Sequence, residues 1–141
     1  MEVYARDVPI STAGELDFQD ITELVASVIT EAKVRTGTAT VFVPGATCAI
    51  VLNENEPAAV EDFKAAIERL VPKKAKYKHG ENPQSHIRSL MLGSSCTIPV
   101  RDDRLQLGTW QSIFLVELDV RPRKRKVSIT IVGTSSVHEG D

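Results

Sequence analysis

At 141 residues the chain suits one domain and leaves little for a second. Hydrophobic residues make up 42%, enough for a real core, which excludes wholesale disorder. The net charge of −2 argues against a dedicated nucleic-acid binder, which is usually basic overall. Two cysteines, Cys48 and Cys96, are too few for a disulfide scaffold and read as buried free thiols. The first residues carry no apolar leader and no apolar run approaches membrane-spanning length, so a cytoplasmic protein is expected.

In chain order, Val3–Ile10 reads as a strand that ends at Ser11-Thr12-Ala13-Gly14. Asp20-Ile21-Thr22-Glu23 has capping-box spacing, and Ile21, Leu24, Val25, Val28 and Ile29 recur on one helical face, predicting a helix to about Lys33. Thr38–Val43 is β-branched and reads as a strand broken by Pro44-Gly45. Cys48–Leu52 is a continuous apolar run, the mark of a strand buried on both faces. Pro57 opens a helix whose apolar face is Val60, Phe63, Ile67 and Leu70, and Pro72 stops it. After a basic, polar loop, Pro83 opens a shorter helix with Ile87, Leu90 and Met91 assigned to its inner face and Gly93 to its cap. Strands follow at Ser95–Val100, Leu105–Leu107, Trp110–Leu118 and Val127–Val132, with Asp102-Asp103 as a tight hairpin turn. Without a strict βαβ alternation, this order predicts one α+β domain over residues 1–133. Mostly antiparallel, sandwich-like sheet layers would carry two to three packed helices. A flexible polar tail is expected over 134–141.

Four stretches offer chemistry, each beside a plainer reading. Gly45-Ala46-Thr47 lets backbone approach a ligand, and Asn53-Glu54-Asn55-Glu56 sets donors and acceptors at a strand end; the alternative is a turn plus an acidic helix lead-in. His79 and His86 bracket a helix start. There they suit a metal or acid–base work, while Asn82, Ser85 and the helix N–H groups, with Lys76 and Lys78, suit a phosphate; the alternative is two ordinary histidines. Trp110 and Gln111 either wall a pocket or are a core tryptophan and its neighbour. Arg121–Lys126 holds five basic residues in six without an interleaved aromatic, which favours a solvated hairpin over a nucleic-acid stripe. Walker, GxGxxG, HExxH and GxSxG motifs are absent.

Leu52-Asn53-Glu54-Asn55, Tyr77-Lys78-His79-Gly80-Glu81, Ser85-His86-Ile87-Arg88-Ser89, Met91-Leu92-Gly93-Ser94-Ser95 and Gly108-Thr109-Trp110-Gln111, in this order, resemble the YjbQ-like family, also called the secondary thiamine-phosphate synthase family. The resemblance implies a small α+β fold, a homotrimer with sites near the subunit boundaries, and a weak thiamine-phosphate synthase activity. On that basis His79, His86 and Glu54 would be catalytic, and Thr47, Asn53, Asn55, Asn82, Ser85, Trp110 and Gln111 would hold a phosphate-bearing small molecule or an inorganic anion. The alternative is a non-catalytic trimer that binds an anionic metabolite or a metal. His79 and His86 would hold a divalent metal, zinc or magnesium, completed by Glu54 or Glu56. This chain departs from the family in having Gly45 where many relatives have histidine, which removes one ligand of a three-histidine centre.

Overall fold

The computed structural model describes residues 1–135. Its elements run β1 (Glu2–Ser11), β2 (Asp17–Asp20), α1 (Thr22–Ala32), β3 (Val34–Phe42), β4 (Cys48–Asn53), α2 (Pro57–Leu70), α3 (Pro83–Leu92), β5 (Ser95–Arg101), β6 (Arg104–Leu105), β7 (Ser112–Glu117) and β8 (Lys124–Ser135). They make an α+β sandwich. A five-stranded sheet has the order β1-β8-β3-β5-β6 and a three-stranded sheet the order β2-β7-β4. All pairings are antiparallel.

Alternation sets the layers. Val34, Ala39 and Val41 of β3, Ile98 and Val100 of β5, and Val127, Ile129 and Ile131 of β8 point inward. They meet Val25, Val28 and Ile29 of α1 and Ile50, Ile113 and Leu115 of the smaller sheet. The other face of that sheet, with Phe18, Ala49, Phe114 and Val116, packs on Val60 and Leu92. Both faces of β4 and β7 are therefore covered, as the unbroken apolar run at Cys48 predicts. Asp102 and Asp103 both take positive φ in the β5–β6 turn, the geometry a tight hairpin needs. Gly37 and Gly133 are opposite one another beside a bulge in β3, where a Cβ on either would strike the facing backbone.

Three expectations are corrected. The capping box does not form: Ile21 occupies the cap, and Asp20 instead accepts from the Thr22 N–H (2.9 Å) and hydroxyl (2.6 Å). Helix α3 is inverted relative to its apolar pattern. Gln84, Ser85, Arg88 and Ser89 are buried, while Leu90 is 82% and Met91 61% exposed. Gln84, Arg88 and Ser89 succeed on the inner side because they find partners there. Arg88 donates to the Val71 carbonyl, Glu15 and Glu68, and the Ser89 hydroxyl donates to the Cys48 carbonyl (2.7 Å). Finally, β8 continues through Ser135, so of the expected tail only 136–141 remains, outside the described residues.

Candidate functional site

Where β7 ends and β8 begins, the chain buries charge. Glu117 is fully buried and Arg125 is 6% exposed. Glu117 Oε1 accepts from the Thr12 hydroxyl (2.7 Å) and from Arg125 Nε (2.8 Å). Its Oε2 accepts from the Asp119 N–H (3.0 Å) and from Arg125 Nη2. Arg125 Nη2 also donates to the Thr47 carbonyl (3.1 Å) and hydroxyl (2.8 Å). A buried ion pair stands only with this degree of satisfaction. The bond from Glu117 pushes the Arg125 pKa upward, so the guanidinium stays charged.

Arg125 Nη1 takes no part in those bonds. It lies where a side chain on Gly45 would be: a Cβ there would sit 2.9 Å from it. Gly45 also holds φ at +137°, a conformation that glycine adopts without strain. The β3–β4 turn is thus cut back to leave a face of Arg125 open.

That face belongs to a cavity of about 270 Å³. Arg121, Arg123 and Arg125 line one side, His79, Glu81, Asn82 and His86 another, and Gly45–Thr47 and Asp119 the rest. Asp119 organises the rim. Its Oδ1 accepts from Asn82 Nδ2 (3.1 Å) and the Arg121 N–H (3.1 Å). Its Oδ2 accepts from Arg123 Nη1 (2.8 Å) and the Thr47 hydroxyl (3.2 Å). Burial works against ionisation of Asp119, yet the Arg121 N–H, the Thr47 hydroxyl and the charges of Arg123 and Arg121 outweigh it and hold the carboxyl below its usual range. The His79 and His86 rings meet edge to face with centroids 4.9 Å apart.

The basic run is therefore not a solvated hairpin throughout. Arg125 is buried and Arg123 is tied to Asp119, both through alternate positions that turn toward the cavity. The helix start is not the anion cradle expected from its sequence. The Ser85 and His86 N–H groups donate to the Asn82 carbonyl, and the Asn82 side chain turns to Asp119. Ser85 is buried, its hydroxyl without a partner among the described residues, and it is outside the cavity lining.

Thr47, His79, Asn82 and His86 do come together. Asn53, Glu54, Asn55, Trp110 and Gln111 do not join them. Cys48 pairs with Glu117 at one end of β4 and Asn53 with Ser112 at the other, ends that are about 17 Å apart for a six-residue strand. At that far end the side chains serve the chain itself. Asn55 Nδ2 donates to Asp20 (3.1 Å), Asn53 Oδ1 accepts from the Glu54 N–H (2.8 Å), and Glu56 caps α2 through the Ala58 and Ala59 N–H groups. Gln111 closes a turn on Gly108, and Trp110 is 72% exposed, not a core tryptophan. A metal centre fares likewise. Among the described residues no three of His, Cys, Asp or Glu gather closely enough to hold an ion, and a catalytic zinc takes three protein ligands. His79 and His86 alone do not fit one within a single chain.

The chain is thus a small α+β sandwich domain with a basic pocket beside a buried arginine–glutamate pair. Residues 6–134 match the family described as UPF0047 protein YjbQ-like, and the chain belongs to that family. It is 40% identical over 136 residues to a UPF0047 protein of Methanothermobacter thermautotrophicus, covering 94% of each chain. A YbjQ-like protein of unknown function from Sulfolobus solfataricus superposes with a TM-score of 0.91 at 34% identity, covering 94% of this chain and 99% of that one. A Clostridium acetobutylicum member is 37% identical with a TM-score of 0.86, covering 90% and 99%. The activity of this family is not established. Among the described residues no helix is long and apolar enough to cross a membrane.

Proposed function

We propose that the cavity binds the phosphate group of a small molecule, and that the chain is a weak transferase on phosphorylated heterocycles, of the thiamine-phosphate-synthase type. The carrying observation is Arg125, locked by Glu117 with one guanidinium edge toward the cavity and Arg121, Arg123, His79 and His86 around it. Planar, permanently charged guanidinium groups match phosphate oxygens in pairs. In the reaction, the bond from the pyrimidine methylene carbon to the diphosphate oxygen breaks, and its electron pair leaves with pyrophosphate. The thiazole nitrogen lone pair makes the new C–N bond. The leaving group gathers negative charge, which fixed arginines and imidazoles stabilise. In this reading Glu54 is not a base of the same pocket, because it is beyond the far end of β4.

Supplying both substrates with magnesium should yield thiamine phosphate at a low rate. Arg123→Gln and His86→Ala should each lower it by about tenfold or more. A rate indifferent to both substitutions would place the chemistry elsewhere. The second reading, a receptor that binds the anion without turnover, is favoured by one feature: Asp119 and Glu117 are already engaged by arginines and offer no carboxylate pair for magnesium. Binding of pyrophosphate with no product would select it.

We also propose a homotrimer. It is supported by the outer side of the five-stranded sheet, where Val3, Val132, Thr38 and Pro99 form one cross-strand row and Ala5, Thr130, Thr40 and Thr97 the next. Neither row carries a charge, which is unusual for a sheet face left in water.

A further inference from the structure

The basic cavity has an apolar neighbour. Tyr77, Pro83 and Ile87, with Lys78, line a second hollow of about 270 Å³. His79 and His86 line both hollows, so the imidazole pair is a partition common to the two. One side of it presents three guanidinium groups; the other presents a phenol ring, a proline ring and a branched aliphatic chain. The Tyr77 hydroxyl donates to the Pro72 carbonyl, which fixes that ring in place. Core packing does not account for this surface, because Tyr77, Pro83 and Ile87 belong to neither apolar core cluster. A pocket with a few convergent charged groups beside an apolar wall suits a ligand with two unlike halves.

Resting on the phosphate reading above, we infer that the Tyr77–Pro83–Ile87 hollow takes the organic half of the same ligand, so that the site prefers phosphate esters of an apolar ring to inorganic phosphate. The imidazoles of His79 and His86 stand at the junction, beside the ester linkage of such a ligand. The ring hollow is built by α3 and the loop before it, and the arginines of the basic cavity come from the β7–β8 connection and the start of β8, so the packing of α3 against that strand pair sets the spacing between head group and ring.

Calorimetric titration with inorganic phosphate, methyl phosphate and phenyl phosphate tests this. Phenyl phosphate should bind about tenfold or more tightly than methyl phosphate, the gain expected from burying one ring face. Ile87→Ser should remove most of that advantage and leave the inorganic phosphate Kd within about twofold, because Ile87 is outside the basic cavity. Arg123→Gln should weaken all three ligands alike. Equal binding of phenyl and methyl phosphate would overturn the inference while leaving the phosphate reading intact. Failure of all three ligands to bind would remove the phosphate reading, and the inference with it. A phenyl advantage that survives both Ile87→Ser and Pro83→Ala would place the ring elsewhere and refute the assignment.

Discussion

Gly45 decides what Arg125 can do. Its positive φ and the missing Cβ together leave the guanidinium edge open. Gly45→Ala should destabilise the fold by more than about 1 kcal/mol in urea titration, since alanine dislikes this conformation, and should also weaken phosphate binding. A variant of wild-type stability would show that the turn relaxes freely. Asp119 provides a pH signature. Its carboxyl is held below its ordinary value in the folded chain, so its contribution is complete above the unfolded value of about 4. The contribution is lost as pH falls from there through the folded value. Urea midpoints between pH 5.5 and 3 should fall more steeply for the wild type than for Asp119→Asn; parallel curves would exclude this role. The thiols behave oppositely: burial pushes Cys96 up to about 11 and Cys48 upward too. Native Cys96 should therefore alkylate at pH 8 on the order of a hundredfold slower than a free cysteine, with full reaction restored by denaturant. At this scale the sequence disclosed Gly45, His79 and His86 as notable. It did not disclose Arg125, because a six-residue basic run looks the same whether alternate members turn inward or all face water.

Among the elements, α3 carries the main lesson. Strand pattern and breakers made the sheets legible: Cys48–Leu52 and the Asp102–Asp103 turn fall where periodicity and turn chemistry put them, and Thr38–Val43 marks the latter part of a strand that begins earlier, at Val34. Helix α3 departs from its apolar pattern because Gln84, Arg88 and Ser89 on its inner side are satisfied by carbonyls and carboxylates from elsewhere in the chain, which no local pattern records. β2 was missed for a related reason. Its four residues, Asp17–Asp20, alternate too briefly to show a period. Arg88 anchors α3, with its side chain buried and forked across Val71, Glu15 and Glu68. Arg88→Met should cost about 1–3 kcal/mol, because the Val71 carbonyl loses its donor. Arg88→Lys should recover only part of this, since an ammonium cannot span the same three partners. Full recovery by lysine in denaturant titrations would mean that charge alone holds the helix.

For the whole molecule, the proposed homotrimer would bury the two uncharged rows of the five-stranded sheet. A homotrimer predicts three times the chain mass in sedimentation equilibrium at micromolar concentration. Thr40→Lys combined with Thr97→Lys would bring two charges onto the face and should shift the mass toward one chain. A wild type that sediments as one chain would end the proposal. Assembly also bears on the separation along β4. Asn53, Asn55 and Glu54 are about a strand's length from the histidines within one chain. Nothing local in the sequence could show that distance, since the histidines follow Asn55 only after α2 and the loop beyond it.

The clamp on Arg125 has a kinetic consequence. Glu117 and Thr47 hold the guanidinium in one orientation before any ligand arrives, so that contact needs no rearrangement after encounter. Stopped-flow traces with a phosphate ligand should be single exponentials, with observed rates rising linearly with concentration and slowing as salt screens the cavity. Glu117→Gln, by loosening the clamp, should bend that line toward a plateau: the receptor would then have to wait for its own arginine.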